Sequence, residues 1–345
     1  MAFFSSFRLL FSKKDKRSST ATIESSSKSR KNTQLLCNQS HARNYSLTGS
    51  THSVNQTSST GTNFQFKDGR RYHGDTDIAY LLPTDDDEAD RVHQQHWILR
   101  YALQCNYQAP VSAWLEKGIS VLDAGCGPAT WTFEMGEQYP NSKIYGVDAA
   151  CVFPENIKPA NVEFAIGNIA NKIPFPDNTF DYIHQRLLVF GMTNEDWENA
   201  LKELYRVLKP GGYVELAEPD LQNLHCVGPL LQKLQQQMSA MLESRNMPPR
   251  IASELEDRLT KAGFVNQVLN VTPLKLNHTD KAGVLLWDDY KHAYTNVRPA
   301  VAAITPEWED PEEFERYIDA CGKEATQQKT CINWFACYAQ KPHEE

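Results

Sequence analysis

The chain has 345 residues, 41% of them hydrophobic, which is enough to bury a sizeable core in one large domain with extensions. Its charge is uneven: residues 1–60 carry 9 Lys and Arg against 2 Asp and Glu, a net of +7, and the remainder carries 26 (35 − 9) against 41 (43 − 2), a net of −15. This acidic body argues against direct nucleic-acid binding, and no apolar run reaches the roughly 18 residues of a membrane span.

Residues 1–60 form a basic, Ser- and Thr-rich tail that we expect to be disordered. The tail holds 22 Ser and Thr and few aliphatic residues after Phe11, so it cannot bury enough apolar area to offset its ordering entropy. An amphipathic start at 1–11 precedes basic clusters at 13–17 and 28–31. Three interpretations stay open: a tail without a targeting signal, a bipartite nuclear localisation signal and an organelle transit peptide. The expected location is the cytoplasm or nucleus, with the mitochondrion as an alternative.

The eight cysteines of the chain contain no Cys-x-x-Cys pair. Without a secretory signal, this pattern indicates reduced thiols, and we expect no metal site.

One folded domain is expected over 61–345, with its first helix at 84–103. Thr84 with Asp87 three residues later forms a capping-box pattern, and acids crowd the first turn, where the helix dipole favours them. His93 and His96 lie at i and i+3 on this helix. As metal ligands they would need partners that the sequence does not offer, so a helix face beside a cleft is the favoured interpretation.

Strands and helices alternate in the middle of the chain, which implies a parallel sheet covered by helices on both faces. The predicted strands there are 119–125, 143–149, 162–168, 180–185 and 213–219. The predicted helices are 128–139 and 194–208, the second opened by Thr193 with Asp196 and ended by the KPGG sequence at 209–212. Beyond residue 220, helices are predicted at 229–245, 252–262, 281–296 and 311–328, and strands at 264–271 and 333–342.

The stretch VLDAGCGPAT at 121–130 follows the first strand of this series and predicts a ligand-binding loop. Ligands of an open parallel sheet bind beyond the carboxyl ends of its strands. Gly125 and Gly127 permit a tight turn and a close approach of the backbone to a ligand. Asp148 ends the next strand, and a carboxylate there can accept both hydroxyls of a ribose. The ligand is therefore expected to carry a ribose.

The same loop argues against a phosphate-bearing ligand. A dinucleotide fingerprint has a third glycine where this chain has Thr130. More importantly, Asp123 stands two residues before the first glycine and would repel a pyrophosphate. An acid at that point suits a ligand with positive charge. S-adenosylmethionine has a ribose, a sulfonium and an ammonium group, and no phosphate.

Three segments resemble the class I S-adenosylmethionine-dependent methyltransferases. Residues 121–150 look like the first motif of that family and its continuation, 167–186 like the segment that seats adenine, and 201–220 like the helix and strand that follow. The wider chain resembles a fungal group that includes velvet-complex regulators of secondary metabolism, from its GRRYHG start at 69–74 and its YAQKP end at 338–342.

The resemblance implies S-adenosylmethionine as cofactor and a set of residues that hold it. Asn168 stands where the family usually has Asp; its amide oxygen still accepts the adenine amino group, with a loss of about 1 kcal/mol. Ile169 is expected to line the adenine pocket and Gln185 to face the methyl-transfer cleft. The full set is Asp123, Gly125, Cys126, Gly127, Asp148, Ala149, Asn168, Ile169 and Gln185.

The implied fold is α/β: a Rossmann-like, doubly wound, seven-stranded sheet whose last strand is antiparallel, with an added N-terminal helix and C-terminal lid helices. The core sheet is expected at about 115–275 and 333–342, and the lid at 70–105 and 281–328. Four aromatic residues of the lid are expected either to form a wall of the acceptor site or, as favoured, to pack the lid on the body: Trp287, Tyr290, Tyr294 and Trp308.

The implied activity is transfer of a methyl group by in-line displacement to an unidentified acceptor, a small molecule or a protein. A hydroxyl acceptor is helped by a base, for which His184, Glu218, Tyr72 and His73 are the candidates. Tyr72 and His73 are expected either to gate the site or to pack beside it. The alternative function is a cofactor-binding regulator of gene expression that works through protein partners with little or no turnover.

Overall fold

The computed structural model describes residues 64–343 except 68, 76 and 155, so the predictions made for 1–60 lie outside the described residues. The described chain begins with an antiparallel hairpin of β1 (Phe64–Lys67) and β2 (Arg70–His73). Two helices follow, α1 (Asp86–Leu103) and α2 (Ser112–Lys117). The hairpin and α2 were not predicted.

Helix α1 is capped by Asp85, and the expected Thr84 cap is wrong. The Asp85 side chain accepts a hydrogen bond of 3.2 Å from the backbone N–H of Glu88. Arg70 holds this carboxylate with two hydrogen bonds of 2.6 and 2.9 Å, so the hairpin fixes the start of the helix. The Thr84 hydroxyl instead donates to the backbone oxygen of Arg71.

A seven-stranded sheet forms the centre of the domain, with the order β5-β4-β3-β6-β7-β9-β8. The pairings among β3 to β7 are parallel, whereas the last strand, β9, lies antiparallel between β7 and β8. This confirms the predicted fold class. The strands are β3 (Ser120–Ala124), β4 (Lys143–Asp148), β5 (Val162–Ile166), β6 (Phe180–Arg186), β7 (Leu208–Pro219), β8 (Val265–Lys275) and β9 (Cys331–Gln340).

Helices cover both faces of the sheet. The Thr193–Asp196 capping box is present at the start of α4, as predicted. The KPGG sequence at 209–212 was predicted to end α4. It lies instead inside β7, which begins at the residue after the end of that helix. Gly211 adopts a φ of +77° there. The helices are α3 (Thr130–Gln138), α4 (Asn194–Val207), α5 (Pro229–Glu243), α6 (Ile251–Lys261), α7 (Lys281–Ala302) and α8 (Pro311–Gln328), with a 3-10 turn at Pro306–Trp308.

Helix α7 packs on the body through its aromatic residues, and of its side chains only Ala293 reaches the cleft described below. The four lid aromatics belong to the main hydrophobic core, which favours packing over an acceptor wall. They are Trp287, Tyr290, Tyr294 and Trp308, all less than a tenth exposed. Within the described residues, no helix has the length and apolarity to cross a membrane.

A buried polar network joins α1 to α7. Arg91 forms ion pairs with Glu88 at 2.6 Å and with Asp289 at 2.7 Å. Gln95 donates to the second oxygen of Asp289 at 2.8 Å, and Asn296 donates to Glu88 at 2.7 Å. Because buried charges are tolerated only when they are paired and hydrogen-bonded, this network fixes how α1 sits against α7.

Candidate functional site

A cleft of about 200 Å³ opens beyond the carboxyl ends of β3, β4 and β6, under α1. The position agrees with the rule for open parallel sheets. Among its lining residues are eight of the nine that were predicted to hold the cofactor: Asp123, Gly125, Cys126, Gly127, Asp148, Ala149, Asn168 and Ile169.

Asp148 is tied to the loop after β3. One carboxylate oxygen accepts the backbone N–H of Gly127 at 2.8 Å, and the other accepts that of Ala150 at 2.9 Å. Burial raises the pKa of Asp148, and these two backbone bonds oppose the rise. Each oxygen keeps a second lone pair, so the two can accept a pair of neighbouring hydroxyls.

The loop after β3 turns tightly because of its glycines. Gly125 and Gly127 have φ angles of +76° and +51°, in the region that favours glycine. The N–H groups of Gly125 and Cys126 both donate to the backbone oxygen of Val147, which fastens the loop to β4. A Cβ atom on Gly125 would lie 3.2 Å from the side chain of Leu188, so the loop also packs closely against the chain that follows β6.

Asp123 forms the floor of the cleft and is only 4% exposed. Its Oδ2 accepts the hydroxyl of Thr132 at 2.6 Å, and its Oδ1 lies 3.5 Å from Nδ1 of His184. A carboxylate fixed under the loop places negative charge where a phosphate would be repelled and a cation attracted.

Asn168 lies in the cleft after β5, one strand beyond Asp148. Its Oδ1 accepts the backbone N–H of Ala170 at 2.9 Å, which fixes the amide. The oxygen keeps a lone pair for a further donor.

The structure does not bring His184 to the cleft. Its ring stacks on Trp131, with centroids 4.0 Å apart and planes 4° apart, and it lines a separate cavity of about 20 Å³. With Asp123 beside it, His184 is part of the packing under the loop. Its predicted role as a base therefore has no support from the geometry.

Gln185 is a correction to the predicted cofactor set. Its side chain is 1% exposed and does not line the cleft, and neither atom of its amide has a hydrogen-bond partner among the described residues. Successive residues of a strand point to opposite faces. Since His184 and Arg186 point towards α3 and α1, Gln185 is directed into the opposite side of the sheet.

Glu218 is also absent from the cleft lining, although it shapes the loop that lines it. Its carboxylate accepts the backbone N–H groups of Leu188 at 2.7 Å and Val189 at 3.3 Å. Burial raises the pKa of Glu218 to about 8. Leu187, which precedes Leu188 in this loop, has a φ of +61°, a strained conformation for a branched side chain. Glu218 thus holds this loop in place, and the geometry gives it a positioning role.

The upper side of the cleft comes from the arm, which we define as residues 78–84, and from α1. Leu81 donates its N–H to the backbone oxygen of Phe190 at 3.0 Å, which joins the arm to the loop after β6. The ring of Tyr80 covers Gly191, where a Cβ atom would lie 3.0 Å from the ring. His73, at the end of β2, also lines the cleft, and burial lowers its pKa.

A chain of three side chains, of which His96 is buried and Glu134 and Arg186 are partly buried, borders the cleft and was missed by the sequence reasoning. Nδ1 of His96 lies 2.8 Å from Nη2 of Arg186, and its Nε2 lies 2.7 Å from Oε2 of Glu134. Burial lowers the pKa of His96 to about 4, so the ring is neutral at pH 7. The usable signals were the helix face that carries His96 and the alternation along β6.

His93 contacts the hydroxyl of Thr130 rather than a metal-binding partner. Among the residues with described coordinates, no group of three or more His, Cys, Asp or Glu side chains is arranged to hold a metal ion.

Part of the chain matches a methyltransferase family model and a bacterial methyltransferase. Residues 121–212 match the family model described as "Methyltransferase domain". The demethylmenaquinone methyltransferase of Geobacillus sp. (strain WCH70) is 37% identical over 177 residues, which cover 44% of this chain and 73% of the relative.

Two fungal relatives match the same part of the chain. Methyltransferase pytC of Aspergillus terreus (strain NIH 2624 / FGSC A1156) is 32% identical over 163 residues, 47% of this chain and 48% of pytC. The secondary metabolism regulator LAE1 of Cochliobolus heterostrophus is 31% identical over 159 residues, 45% of this chain and 51% of LAE1. The chain spans about half the length of these fungal relatives.

Proposed function

Because this chain belongs to the class I S-adenosylmethionine-dependent methyltransferases, we propose that its cleft binds S-adenosylmethionine and that it methylates a small-molecule acceptor. The observation that carries the proposal is the geometry of Asp148. Both of its oxygens are fixed by the backbone, and both retain a lone pair for the two hydroxyls of a ribose.

The remaining lining residues fit the same cofactor. Asn168, one strand further along the sheet, offers its amide oxygen to the adenine amino group, and Ile169 lies beside it. Gly125 lines the cleft, so the chain of the amino acid would pass along this turn. Asp123 in the floor disfavours a dinucleotide, since its buried carboxylate would face a pyrophosphate.

Held by Asp148, Asn168 and the loop after β3, S-adenosylmethionine would supply a methyl carbon made electrophilic by its sulfonium, for transfer to a lone pair of the acceptor with the sulfur as leaving group. The protein orients the two reactants and excludes water from between them. The arm and α1 provide that exclusion, because the arm is hydrogen-bonded to the loop after β6.

A small acceptor with an apolar body fits the part of the cleft that lies between the arm and the loop after β6. The side chains there are mostly apolar, and α7 closes the space with Ala293. These apolar side chains are Ile78, Leu82, Leu187, Phe190 and Met192. The name of one relative, a demethylmenaquinone methyltransferase, supports an acceptor of this kind.

For a hydroxyl acceptor, the proton lost on methylation needs a base. Among the described groups that line the cleft, His73 has an imidazole that burial keeps neutral at pH 7. His96 is also neutral, but both of its ring nitrogens are engaged. We assign the proton to His73 in that case.

Calorimetric titration of the full chain with S-adenosylmethionine, S-adenosylhomocysteine and NADH tests the proposal. Micromolar binding of the first two, without binding of NADH, is the expected result. Binding of NADH alone would refute the cofactor assignment. Transfer of a radiolabelled methyl group to phenolic or quinol probes then tests the acceptor class, with a histone-type basic peptide as the comparison.

A second candidate function is a cofactor-binding regulator with little turnover, favoured by the similarity to the secondary metabolism regulator LAE1. In that case the cofactor would bind with micromolar affinity while no acceptor is methylated, and protein partners would be recovered with the full chain. Fluorescent-protein fusions of the full chain and of residues 61–345 test whether the basic tail directs the protein to the nucleus. Identical cellular distributions of the two fusions would contradict a targeting role for the tail.

A further inference from the structure

Arg186 lines both the cleft and the neighbouring cavity of about 20 Å³, and the proposed function has not yet used it. It follows Gln185 at the end of β6, and Gln185 pairs with Ala124 in β3, so Arg186 leaves the sheet beside Gly125. It lines the cleft. Within the described residues, its one hydrogen bond goes to Nδ1 of His96 at 2.8 Å, and it forms no ion pair with any carboxylate.

Its neighbours keep Arg186 charged and fix its direction. Burial lowers the pKa of Arg186, but the carboxylates of Asp123, Glu134 and Glu215 act in the opposite direction, and a guanidinium in a protein stays protonated. His96 accepts from Arg186 through Nδ1 because its other nitrogen is directed to Glu134. The chain Glu134–His96–Arg186 therefore aims the guanidinium, which has five N–H donors, four of them without a hydrogen bond to the described residues.

The strand order indicates which part of the cofactor arrives there. Adenine is assigned to Asn168 after β5 and the ribose to Asp148 at the end of β4, and the order continues with β3 and β6. The amino-acid end of the cofactor therefore extends over the Gly125 turn towards β6, where Arg186 lies. That end carries the one carboxylate of the cofactor.

We propose that Arg186 binds the α-carboxylate of S-adenosylmethionine and that His96, held by Glu134, is the positioning residue that aims it. This rests on the proposed cofactor. The planar guanidinium matches a carboxylate with two parallel hydrogen bonds. Because His96 belongs to α1, recognition of this carboxylate requires α1 to be seated on the cleft.

The test compares two ligands that differ in the carboxylate: S-adenosylhomocysteine and its decarboxylated analogue, 5′-deoxy-5′-(3-aminopropylthio)adenosine. Calorimetry on the full chain gives the ratio of their dissociation constants. We expect the wild type to prefer S-adenosylhomocysteine about 30-fold, which is about 2 kcal/mol at 1.4 kcal/mol per factor of ten. Arg186→Gln should bring the ratio below about threefold by weakening only the ligand that has the carboxylate, and Arg186→Lys should fall between.

Arg100→Gln is the matched control. Arg100 lies 3.4 Å from the other oxygen of Glu134, does not line the cleft and is about a third exposed, so its removal takes a positive charge from the same cluster without touching the ligand. The ratio of this variant should equal that of the wild type.

Substitutions of His96 separate positioning from a structural role. His96→Asn keeps an acceptor near the position of Nδ1 and should retain most of the preference, whereas His96→Leu should lose it. A merely structural role would weaken both ligands alike and leave the ratio unchanged. These variants also decide the question if Arg186→Gln does not fold.

An unchanged ratio in Arg186→Gln, or a wild type that binds both ligands equally, would overturn the inference while the cofactor assignment stands. Arg186 would then serve the acceptor or the fold. Failure of the wild type to bind either ligand would instead refute the proposed function.

Discussion

Replacement of Asp148 by Ala is the perturbation that most directly tests the assignment of the ribose. Each carboxylate oxygen has one lone pair left for a ribose hydroxyl, and a hydrogen bond to a charged group contributes about 1.5–3 kcal/mol. Two such bonds contribute at least about 3 kcal/mol, which corresponds to a roughly 100-fold rise in the dissociation constant. The variant also leaves the N–H groups of Gly127 and Ala150 without their acceptor, so the loop itself becomes less ordered.

Isothermal titration with S-adenosylhomocysteine measures this loss, and the melting temperature of each protein shows whether the fold is intact. Glu163→Ala is the control, because Glu163 is an exposed carboxylate on the neighbouring strand β5. Its affinity should match that of the wild type. If Asp148→Ala binds within threefold of the wild type, the ribose is not held by this carboxylate, and the assignments of adenine to Asn168 and of the carboxylate to Arg186, which depend on the ribose, lose their basis.

Three further substitutions give distinct outcomes. Asn168→Asp should bind S-adenosylhomocysteine about fivefold more tightly, because a charged acceptor strengthens the hydrogen bond to the adenine amino group by about 1 kcal/mol. An unchanged affinity in the same titration would contradict this prediction. Above about pH 8, where the carboxylate of Glu218 is ionised, Glu218→Gln should lower the melting temperature, because the N–H of Leu188 or Val189 then faces an amide N–H; lost turnover at an unchanged melting temperature would instead restore Glu218 as a base. Folding raises the pKa of Glu218 from 4.5 to about 8. Protonation of Glu218 therefore stabilises the fold fully below about pH 4.5, and this contribution is lost by about pH 8. Because Gln does not titrate, the free energy of unfolding of Glu218→Gln, measured in denaturant titrations, should fall less between about pH 5 and 8 than that of the wild type. Gly146→Ala should lower the free energy of unfolding by about 1–3 kcal/mol, because the added Cβ would lie 2.7 Å from the ring of Phe164 in β5. A denaturation midpoint equal to that of the wild type would contradict this prediction.

The cofactor half of the cleft was predictable because its signals are local. The acid and glycines of the loop at 121–130 lie within ten residues, and Asp148 ends the next strand along the chain. Once strands and helices alternate, the topology brings the carboxyl ends of adjacent strands to one edge of the sheet. Sequence spacing was therefore sufficient to place these residues together.

His184, Gln185 and Glu218 do not line the cleft, for reasons that spacing along the sequence cannot supply. Alternation along β6 places His184 and Arg186 on one side of the sheet and Gln185 on the other, but it does not show that the ring of Trp131 stacks on His184. Arg186 lines the cleft and contacts His96 of α1, whereas His184, on the same side of the sheet, packs against Trp131 and does not line it. Glu218 was placed correctly at the end of β7, yet its carboxylate is used by the backbone of another loop.

The contacts around Arg186 were out of reach because they join distant parts of the chain. Arg186 and His96 are 90 positions apart, and His96 and Glu134 are 38 apart. No periodicity connects such positions, and only the packing of α1 over the sheet brings them into contact. The same holds for the pairing of Arg91 with Asp289, 198 positions away.

The division between the two halves of the cleft has a functional consequence. The part that matches the family model, 121–212, provides the sheet edge and the residues assigned to the cofactor, whereas the arm at 78–84 and helices α1 and α7 lie outside it. Changes in the matched part should therefore act first on the cofactor, and changes in the outer part on the acceptor. Arg186 is the exception, because it lies on the sheet but is aimed by His96 of α1. Through that contact, the outer part of the chain also controls the cofactor, so a displacement of α1 by an acceptor or a partner would weaken cofactor binding without any change at Asp148.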